Sequence, residues 1–185
     1  SIITINPDDT DISISIAGKK MQIPIIASAM DGVVSPKTAI LMSQLGGFGV
    51  LNLQGVWSRY EDAAKNLEQI AAVDKDQYVP LMQKMYLEPI KKELIIKRIK
   101  EIKAKKGVAA VSTIPQNAAR YASMVQKAGA DVFVIQATVL TTKYISSKNI
   151  KLDLKKLCQS VKMPVILGNC VNYDMALELM DTGCS

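Results

Sequence analysis

The sequence contains no histidine, few aromatic residues and no long apolar run. The absence of histidine excludes Ser-His-Asp and Cys-His catalysis, and histidine-ligated metal sites, from these 185 residues. Aromatic residues make up only 5% of the chain, which argues against a surface that stacks the bases of single-stranded nucleic acid. Because no apolar run approaches the ~20 residues that span a bilayer, we expect a soluble, cytoplasmic protein without a membrane partner.

Cysteine is also scarce, since the chain carries only Cys158, Cys170 and Cys184. Their wide spacing does not form the C-x-x-C pairs of a zinc site or a disulfide framework. We therefore expect no bound metal and a reducing compartment.

Basic residues outnumber acidic ones by 23 to 17, which gives a net charge of +6. Many of them lie in the segment 91–106, where Ile95, Ile99 and Ile102 fall on one face of a predicted helix. This pattern is typical of a solvated surface helix. No base-reading motif accompanies the charge, so nucleic acid is not a predicted partner, although a basic surface favours anionic ligands.

Short apolar segments alternate with amphipathic ones along the chain, whose hydrophobic content of 49% suits one globular α/β unit. The apolar segments predict five buried strands, at 24–28, 48–52, 108–112, 132–136 and 164–168. The amphipathic segments predict helices at about 36–45, 58–71, 91–106, 117–128, 153–161 and 173–182.

The repeated strand–helix order predicts a parallel sheet, either open and doubly wound or closed into a (β/α) barrel. Both architectures bind ligands at the carboxyl ends of the strands. Small or polar residues stand at those predicted ends, namely Ser28, Asn52, Ser112, Gln136 and Asn169. The carboxyl edge of the sheet is therefore the predicted binding site.

The segment 23–52, IPIIASAMDGVVSPKTAILMSQLGGFGVLN, resembles the first two strand–helix units of the IMP dehydrogenase and GMP reductase family. Segments 109–118, 128–138 and 164–183 resemble the third to fifth units. The resemblance covers almost the whole chain and implies a (β/α)8 TIM barrel. About the first five units of that barrel are present, so we expect residues 1–185 to form one incomplete catalytic-barrel domain.

The resemblance also implies which residues meet the ligands. In the family, the serine and methionine of an S-x-M-D turn contact the bound nucleotide, and the matching residues are Ser28 and Met30. The asparagine of a G-N-x-V element lies between nucleotide and nicotinamide, and its match is Asn169. The predicted cofactor-binding residues are Thr138 and Asn169. Where the family carries Asp-Ser-Ser, this chain has Gln136 in place of the acid, so NAD and NADP are both open as cofactors.

The implied activity is oxidation of IMP to XMP with NAD, or reduction of GMP to IMP with NADPH. The family's catalytic cysteine adds to C2 of the purine and stands in a glycine-rich loop after the sixth strand, which is expected beyond Ser185. No catalytic residue is therefore predicted in this segment, and any monovalent cation site would depend on the same loop. Cys158 and Cys170 are predicted to be packing residues. The implied partners are a purine mononucleotide (IMP, GMP or XMP) and further copies in a homotetramer or octamer.

Many members of the family insert a pair of CBS modules, ~120 residues in all, between the second and third strands. Residues 53–107 leave no room for them, so no CBS domain is expected. The S-A-M-D-G-V turn resembles the branch of the family found in cyanobacteria and actinobacteria. Two alternatives remain: a non-catalytic nucleotide-binding or assembly domain of the same fold, and another phosphate-ligand TIM-barrel enzyme, which would need carboxylates at its strand ends.

Overall fold

The computed structural model describes residues 6–142 and 152–185. An antiparallel hairpin comes first, formed by β1 (Ile14–Ile16) and β2 (Lys19–Met21). The parallel strands follow: β3 (Ile26–Ala27), β4 (Phe48–Asn52), β5 (Ala110–Thr113), β6 (Val132–Gln136) and β7 (Val165–Gly168). The described α-helices are α1 (Pro36–Gln44), α2 (Ala63–Ala72), α3 (Tyr78–Leu87), α4 (Lys92–Ala104), α5 (Pro115–Ala128), α6 (Leu154–Ser160) and α7 (Tyr173–Met180).

The five parallel strands are hydrogen-bonded in the order in which they occur in the chain, from β3 to β7. A doubly wound open sheet reverses its strand order part of the way along, whereas a barrel does not. The sheet is therefore curled, and the chain is a partial (β/α) barrel, as the resemblance implies. This resolves the choice between the two architectures that the alternation alone left open.

The main core lies between the sheet and the helices on its outer face. Phe133 and Ile135 of β6 point into this core and are fully buried. Ile95, Ile99 and Ile102 of α4 are also fully buried there, which confirms the amphipathic pattern of the lysine-rich helix. Each such side chain contributes about 1.5–3 kcal/mol relative to an exposed position.

A second apolar cluster covers the opposite face of the sheet and includes the hairpin. Ala17 and Met21 of the hairpin pack there with Phe48 and Val132. The hairpin turns at Ala17 and Gly18, which both have left-handed backbones with φ of 51° and 69°. The sequence analysis did not predict this hairpin, because its strands are short and rich in exposed or half-buried residues.

Asp131, just before β6, connects the hairpin to the amino end of the sheet. Its carboxylate accepts hydrogen bonds from Lys19 Nζ at 2.8 Å, Lys103 Nζ at 2.7 Å and the Ala109 amide at 2.9 Å. Burial pushes the pKa of Asp131 upward, but these three donors outweigh it and hold the pKa below its ordinary value. The hairpin is thus held to the sheet by the ion pair between Lys19 and Asp131 as well as by apolar packing.

Two predicted segments differ from the structure. The predicted strand at 24–28 is reduced to Ile26–Ala27. The stretch after α2, where none of the predicted helices lies, contains α3. Pro80 does not prevent this helix because it lies in the first turn, where its missing N–H has no intrahelical partner to lose.

Candidate functional site at the carboxyl edge of the sheet

The polar strand-end residues lie along the carboxyl edge of the curled sheet. Ser28 follows β3, Gln136 ends β6 and Asn169 follows β7. Ser112 is an exception, because it is 4% exposed within β5 and Thr113 is the residue that ends that strand. The edge therefore carries hydroxyl and amide groups, as the sequence predicted, with one residue displaced.

Residues 28–31 form a tight connection after β3 and are called the nucleotide turn below, after the role that the resemblance implies for them. The Met30 amide donates to the Ser28 carbonyl at 2.8 Å, and the Met30 carbonyl accepts from the amides of Val33 and Val34, both at 2.9 Å. The Met30 side chain is 54% exposed, so it is not a core methionine. Ser28 is also exposed, and its hydroxyl makes no hydrogen bond within the described residues. Both side chains are accessible to a ligand.

Asp31, the last residue of the nucleotide turn, is buried and anchors it. Its Oδ2 accepts from the Val56 amide at 2.8 Å and from the Tyr86 hydroxyl at 2.5 Å. Trp57 Nε1 donates to the Asp31 carbonyl at 3.4 Å. A Cβ on Gly55 would lie 1.7 Å from Asp31 Oδ1, so only glycine fits there. Asp31 thus joins the turn to the segment after β4 and to α3.

Gln54 joins the ends of β4 and β5. Its backbone amide donates to Asn52 Oδ1 at 2.9 Å, and its side-chain Nε2 donates to Thr113 Oγ1 at 2.7 Å. Asn117 Nδ2, in the first turn of α5, donates to Gln54 Oε1 at 3.1 Å. The sequence analysis missed this cluster. Its only signal was the polar pair of Asn52 and Gln54 immediately after a buried strand.

The ends of β6 and β7 are joined through their backbones. The Ala137 amide donates to the Gly168 carbonyl at 2.9 Å, and the Asn169 amide donates to the Ala137 carbonyl at 3.0 Å. The side chains of Gln136, Thr138 and Asn169 are exposed and make no hydrogen bond within the described residues. Amide and hydroxyl groups of this kind can each donate and accept hydrogen bonds to a ligand.

The predicted site residues form two groups along the edge. Ser28 and Met30 follow β3, and Thr138 and Asn169 follow β6 and β7, with β3 and β7 at opposite ends of the sheet. With a strand spacing of about 4.8 Å, the two end strands are roughly 19 Å apart along the sheet, and closer across its curl. The structure brings Thr138 and Asn169 together, but no hydrogen bond joins either to Ser28 within the described residues.

The two cysteines predicted to be packing residues have different environments. Cys158 is half-buried against the main core, and burial raises the pKa of its thiol. That prediction is confirmed. Cys170 is exposed, with its Sγ donating to the Asn172 carbonyl at 3.2 Å, so the packing prediction is wrong for this residue. The reason is positional, since β7 ends at Gly168 and Cys170 lies beyond the sheet.

The described residues, 6–142 and 152–185, contain neither a metal-binding cluster nor a membrane-spanning helix. No group of three or more histidine, cysteine, aspartate or glutamate side chains is arranged to hold a metal ion there. Within the same residues, none of the helices combines the length and apolar character needed to cross a membrane.

The strand order and the polar carboxyl edge define a barrel of the ligand-binding α/β class. A comparison with protein families matches the IMP dehydrogenase / GMP reductase domain over residues 1–185. The chain belongs to the IMP dehydrogenase / GMP reductase family.

Curated proteins that are similar in sequence to this chain support its place in the family. An uncharacterized oxidoreductase of Mycolicibacterium smegmatis is 32% identical over 171 residues, which cover 90% of this chain and 46% of the relative. An inosine-5'-monophosphate dehydrogenase of Methanocaldococcus jannaschii is 34% identical over 85 residues, or 46% of this chain and 16% of that protein. This chain therefore spans less than half the length of these curated relatives.

Solved structures show the same fold. The IMP dehydrogenase/GMP reductase-like protein from Corynebacterium glutamicum superposes with a TM-score of 0.91 at 30% identity, covering 100% of this chain and 49% of that one. The inosine 5' monophosphate dehydrogenase from Legionella pneumophila gives a TM-score of 0.59 at 20% identity, covering 90% of this chain and 39% of that one. At that identity the second likeness shows the fold alone.

Proposed function

We propose that the whole protein is an NAD(P)-dependent oxidoreductase that acts at C2 of a purine nucleotide. In one direction IMP, NAD and water give XMP, NADH and a proton; in the other, GMP, NADPH and a proton give IMP, ammonia and NADP. The observation that carries the proposal is the family match over residues 1–185, together with an S-x-M-D turn whose Ser28 and Met30 are accessible at the carboxyl edge.

The residues of this chain bind and orient the ligands in the proposed reaction. Ser28 and Met30 contact the nucleotide, Asn169 lies near the reacting ring, and Thr138 binds the cofactor with Asn169. The nicotinamide cofactor accepts or donates the hydride when it is bound. The 185 residues contain no histidine for acid–base work. The resemblance implies that the nucleophile is a cysteine thiolate of a glycine-rich loop outside this segment, so these residues would orient the nucleotide for that thiolate.

A second candidate is a nucleotide-binding domain of the same fold without catalysis. The feature that favours it is Gln136, an exposed amide where the resemblance leads us to expect an acidic residue beside the cofactor. An uncharged residue there weakens a hydrogen-bond acceptor for the cofactor ribose. The uncharged Gln136 does not change the nucleotide turn, so a domain without catalysis would still bind the nucleotide.

The two candidates are separated by assaying the full-length protein with IMP plus NAD and with GMP plus NADPH, following NAD(P)H absorbance. Nucleotide binding is measured in parallel by calorimetry. We expect turnover in one of the two directions. Binding of IMP or GMP without turnover supports the second candidate, and the absence of both binding and turnover overturns both.

A further inference from the structure

We propose that α3, together with Arg59 that packs against it, positions the ligand edge: Tyr86 of α3 holds the nucleotide turn through Asp31, and Arg59 holds Gln54. This inference rests on the proposed function, because that function takes the nucleotide turn to contact the substrate. Tyr86 and Arg59 act through other residues and are positioning residues, without contact to the reacting atoms.

The first step runs from Tyr86 to the nucleotide turn. The Asp31 side chain is 9% exposed, and its Oδ1 has no hydrogen-bond partner within the described residues. Its carboxylate is therefore held by the Val56 amide and the Tyr86 hydroxyl at its other oxygen. A buried carboxylate that loses one of two donors must shift or take up water, and either change moves the adjoining Met30.

The electrostatic environment keeps the Tyr86 donor in place. Burial, with the hydrogen bond to Asp31 and its negative charge, raises the pKa of Tyr86 above its ordinary value. The hydroxyl, which is protonated at neutral pH in any case, therefore remains a donor in alkaline solution as well. The Arg59 guanidinium lies over the Tyr86 ring, 5.4 Å from its centroid, and fixes the ring further.

The second step runs from Arg59 to the neighbouring strand ends. Its Nε and Nη2 donate to the Gln54 carbonyl at 3.2 Å and 3.0 Å, and its Nη1 donates to the Glu88 carbonyl just after α3. Gln54 in turn holds Thr113 at the end of β5. A continuous set of hydrogen bonds and ring contacts therefore leads from α3 to the ends of β3, β4 and β5.

The packing of α3 explains why these polar contacts matter. Met85 is its one buried residue, whereas Tyr78, Val79 and Leu87 are exposed, Leu87 by 82%, and the Tyr86 residue itself is 36% exposed. A helix with so little buried surface contributes little to the core. The position of α3 therefore depends on side-chain hydrogen bonds such as the one between Tyr86 and Asp31.

The test compares Tyr86→Phe with Tyr60→Phe in the full-length protein. The Tyr60 hydroxyl donates to the Met85 carbonyl of α3 at 3.0 Å, so both variants lose one tyrosine hydroxyl bond that involves α3. Of these two tyrosines, only Tyr86 forms a hydrogen bond with the nucleotide turn. We expect Tyr86→Phe to raise KM for IMP or GMP about five- to tenfold with kcat within about twofold, whereas Tyr60→Phe leaves KM within about twofold. The two variants should lower Tm similarly.

Amide hydrogen exchange over residues 28–34 gives a second readout that does not depend on activity. Exchange there should be faster in Tyr86→Phe and unchanged in Tyr60→Phe. If the wild-type protein turns over neither nucleotide, the proposed function fails, and exchange alone decides whether Tyr86 positions the turn. Equal exchange in the two variants, or an altered Tm with equal KM values, overturns the positioning role.

Discussion

The amino and carboxyl ends of the curled sheet satisfy their polar groups differently. At the amino end, Asp131 has three donors, and the hairpin buries Met21 to 2% exposure. At the carboxyl end, Gln136, Thr138 and Asn169 present exposed side chains with no hydrogen bond among the described residues. In (β/α) barrels the first arrangement stabilises the fold and the second is available to ligands. The contrast supports the proposal that the carboxyl end binds ligands, whereas the contacts at the amino end stabilise the fold.

The carboxyl end is itself divided. The ends of β3, β4 and β5 are linked by buried or half-buried side chains, chiefly Asp31, Gln54 and Thr113. The ends of β6 and β7 are linked by backbone bonds, which leaves their side chains free. Substitutions in the first group should therefore change stability, and substitutions in the second group should change ligand binding alone.

The largest effect is expected from Gly55→Ala, which tests the linked part of the carboxyl end. The new Cβ would lie 1.7 Å from Asp31 Oδ1, so the carboxylate or the backbone must move. We expect a loss of about 3 kcal/mol in the free energy of unfolding, measured with denaturant. Gly32→Ala is the control, because a Cβ there has no atom within 4 Å. Equal costs for the two variants would show that Asp31 does not pack as described.

Ser28→Ala and Asn169→Ala test the exposed side chains of the carboxyl end, since Ser28 follows β3 in the linked part and Asn169 follows β7 in the free part. Each should weaken nucleotide binding by about 1–3 kcal/mol, the value of a lost polar contact, while leaving the unfolding free energy nearly unchanged. Calorimetry with IMP and GMP on the full-length protein measures the first quantity, and denaturant unfolding measures the second. Ser123→Ala, on the exposed side of α5, is the control. A binding loss as large in this control would contradict the assignment.

Asp131→Asn tests the amino end. At neutral pH it should lower the unfolding free energy by about 1–2 kcal/mol, because Lys19 and Lys103 lose a charged partner. The pKa of Asp131 is lowered in the folded protein, so its contribution is present above the ordinary carboxyl pKa of about 3.9 and disappears as pH falls through the lower folded value. The cost of the substitution should therefore shrink in acid.

Urea unfolding of wild type and variant at neutral and acidic pH measures this difference. Glu61→Gln is the matched control, since Glu61 pairs with Lys97 on the exposed surface and such pairs contribute about 0–1 kcal/mol. A cost for Asp131→Asn that stays constant with pH would indicate that packing, and not charge, fastens the hairpin.

The smallest effect is expected for the bond between Gln54 and Thr113. A double-mutant cycle of Gln54→Ala and Thr113→Val should give a coupling energy of about 1 kcal/mol in unfolding measurements. A coupling near zero would mean that the ends of β4 and β5 are joined by their backbones alone. The side-chain link between β4 and β5 would then contribute nothing to stability, and the proposed division of the carboxyl end would not hold for these strands.

Much of the fold follows from local pattern. The strands at 48–52 and 132–136 match β4 and β6 at both ends, because these are apolar runs long enough to stand out. The hairpin and α3 were not predicted, and the reason differs between them. Residues 14–21 are too short and too mixed to predict strands, and prolines at 80 and 89 are signals against a helix in the stretch where α3 lies.

The candidate site was predicted less completely than the fold. The polar residues at strand ends could be located because parallel strands bring their carboxyl ends to one edge. The partners of Asp31 could not, since Tyr86 is 55 residues away in the chain and the bond depends on where α3 packs. Contacts between distant segments that involve single polar side chains leave no periodic signal.

We propose that the carboxyl edge binds a purine nucleotide, whereas the amino end stabilises the fold. Hydrogen exchange of the full-length protein, with and without saturating IMP or GMP, tests this most directly. We predict slower exchange on binding in residues 28–34 and 168–170, and no change in the hairpin at 14–21. Protection confined to the hairpin, or no protection anywhere despite measured binding, would contradict nucleotide binding at the carboxyl edge.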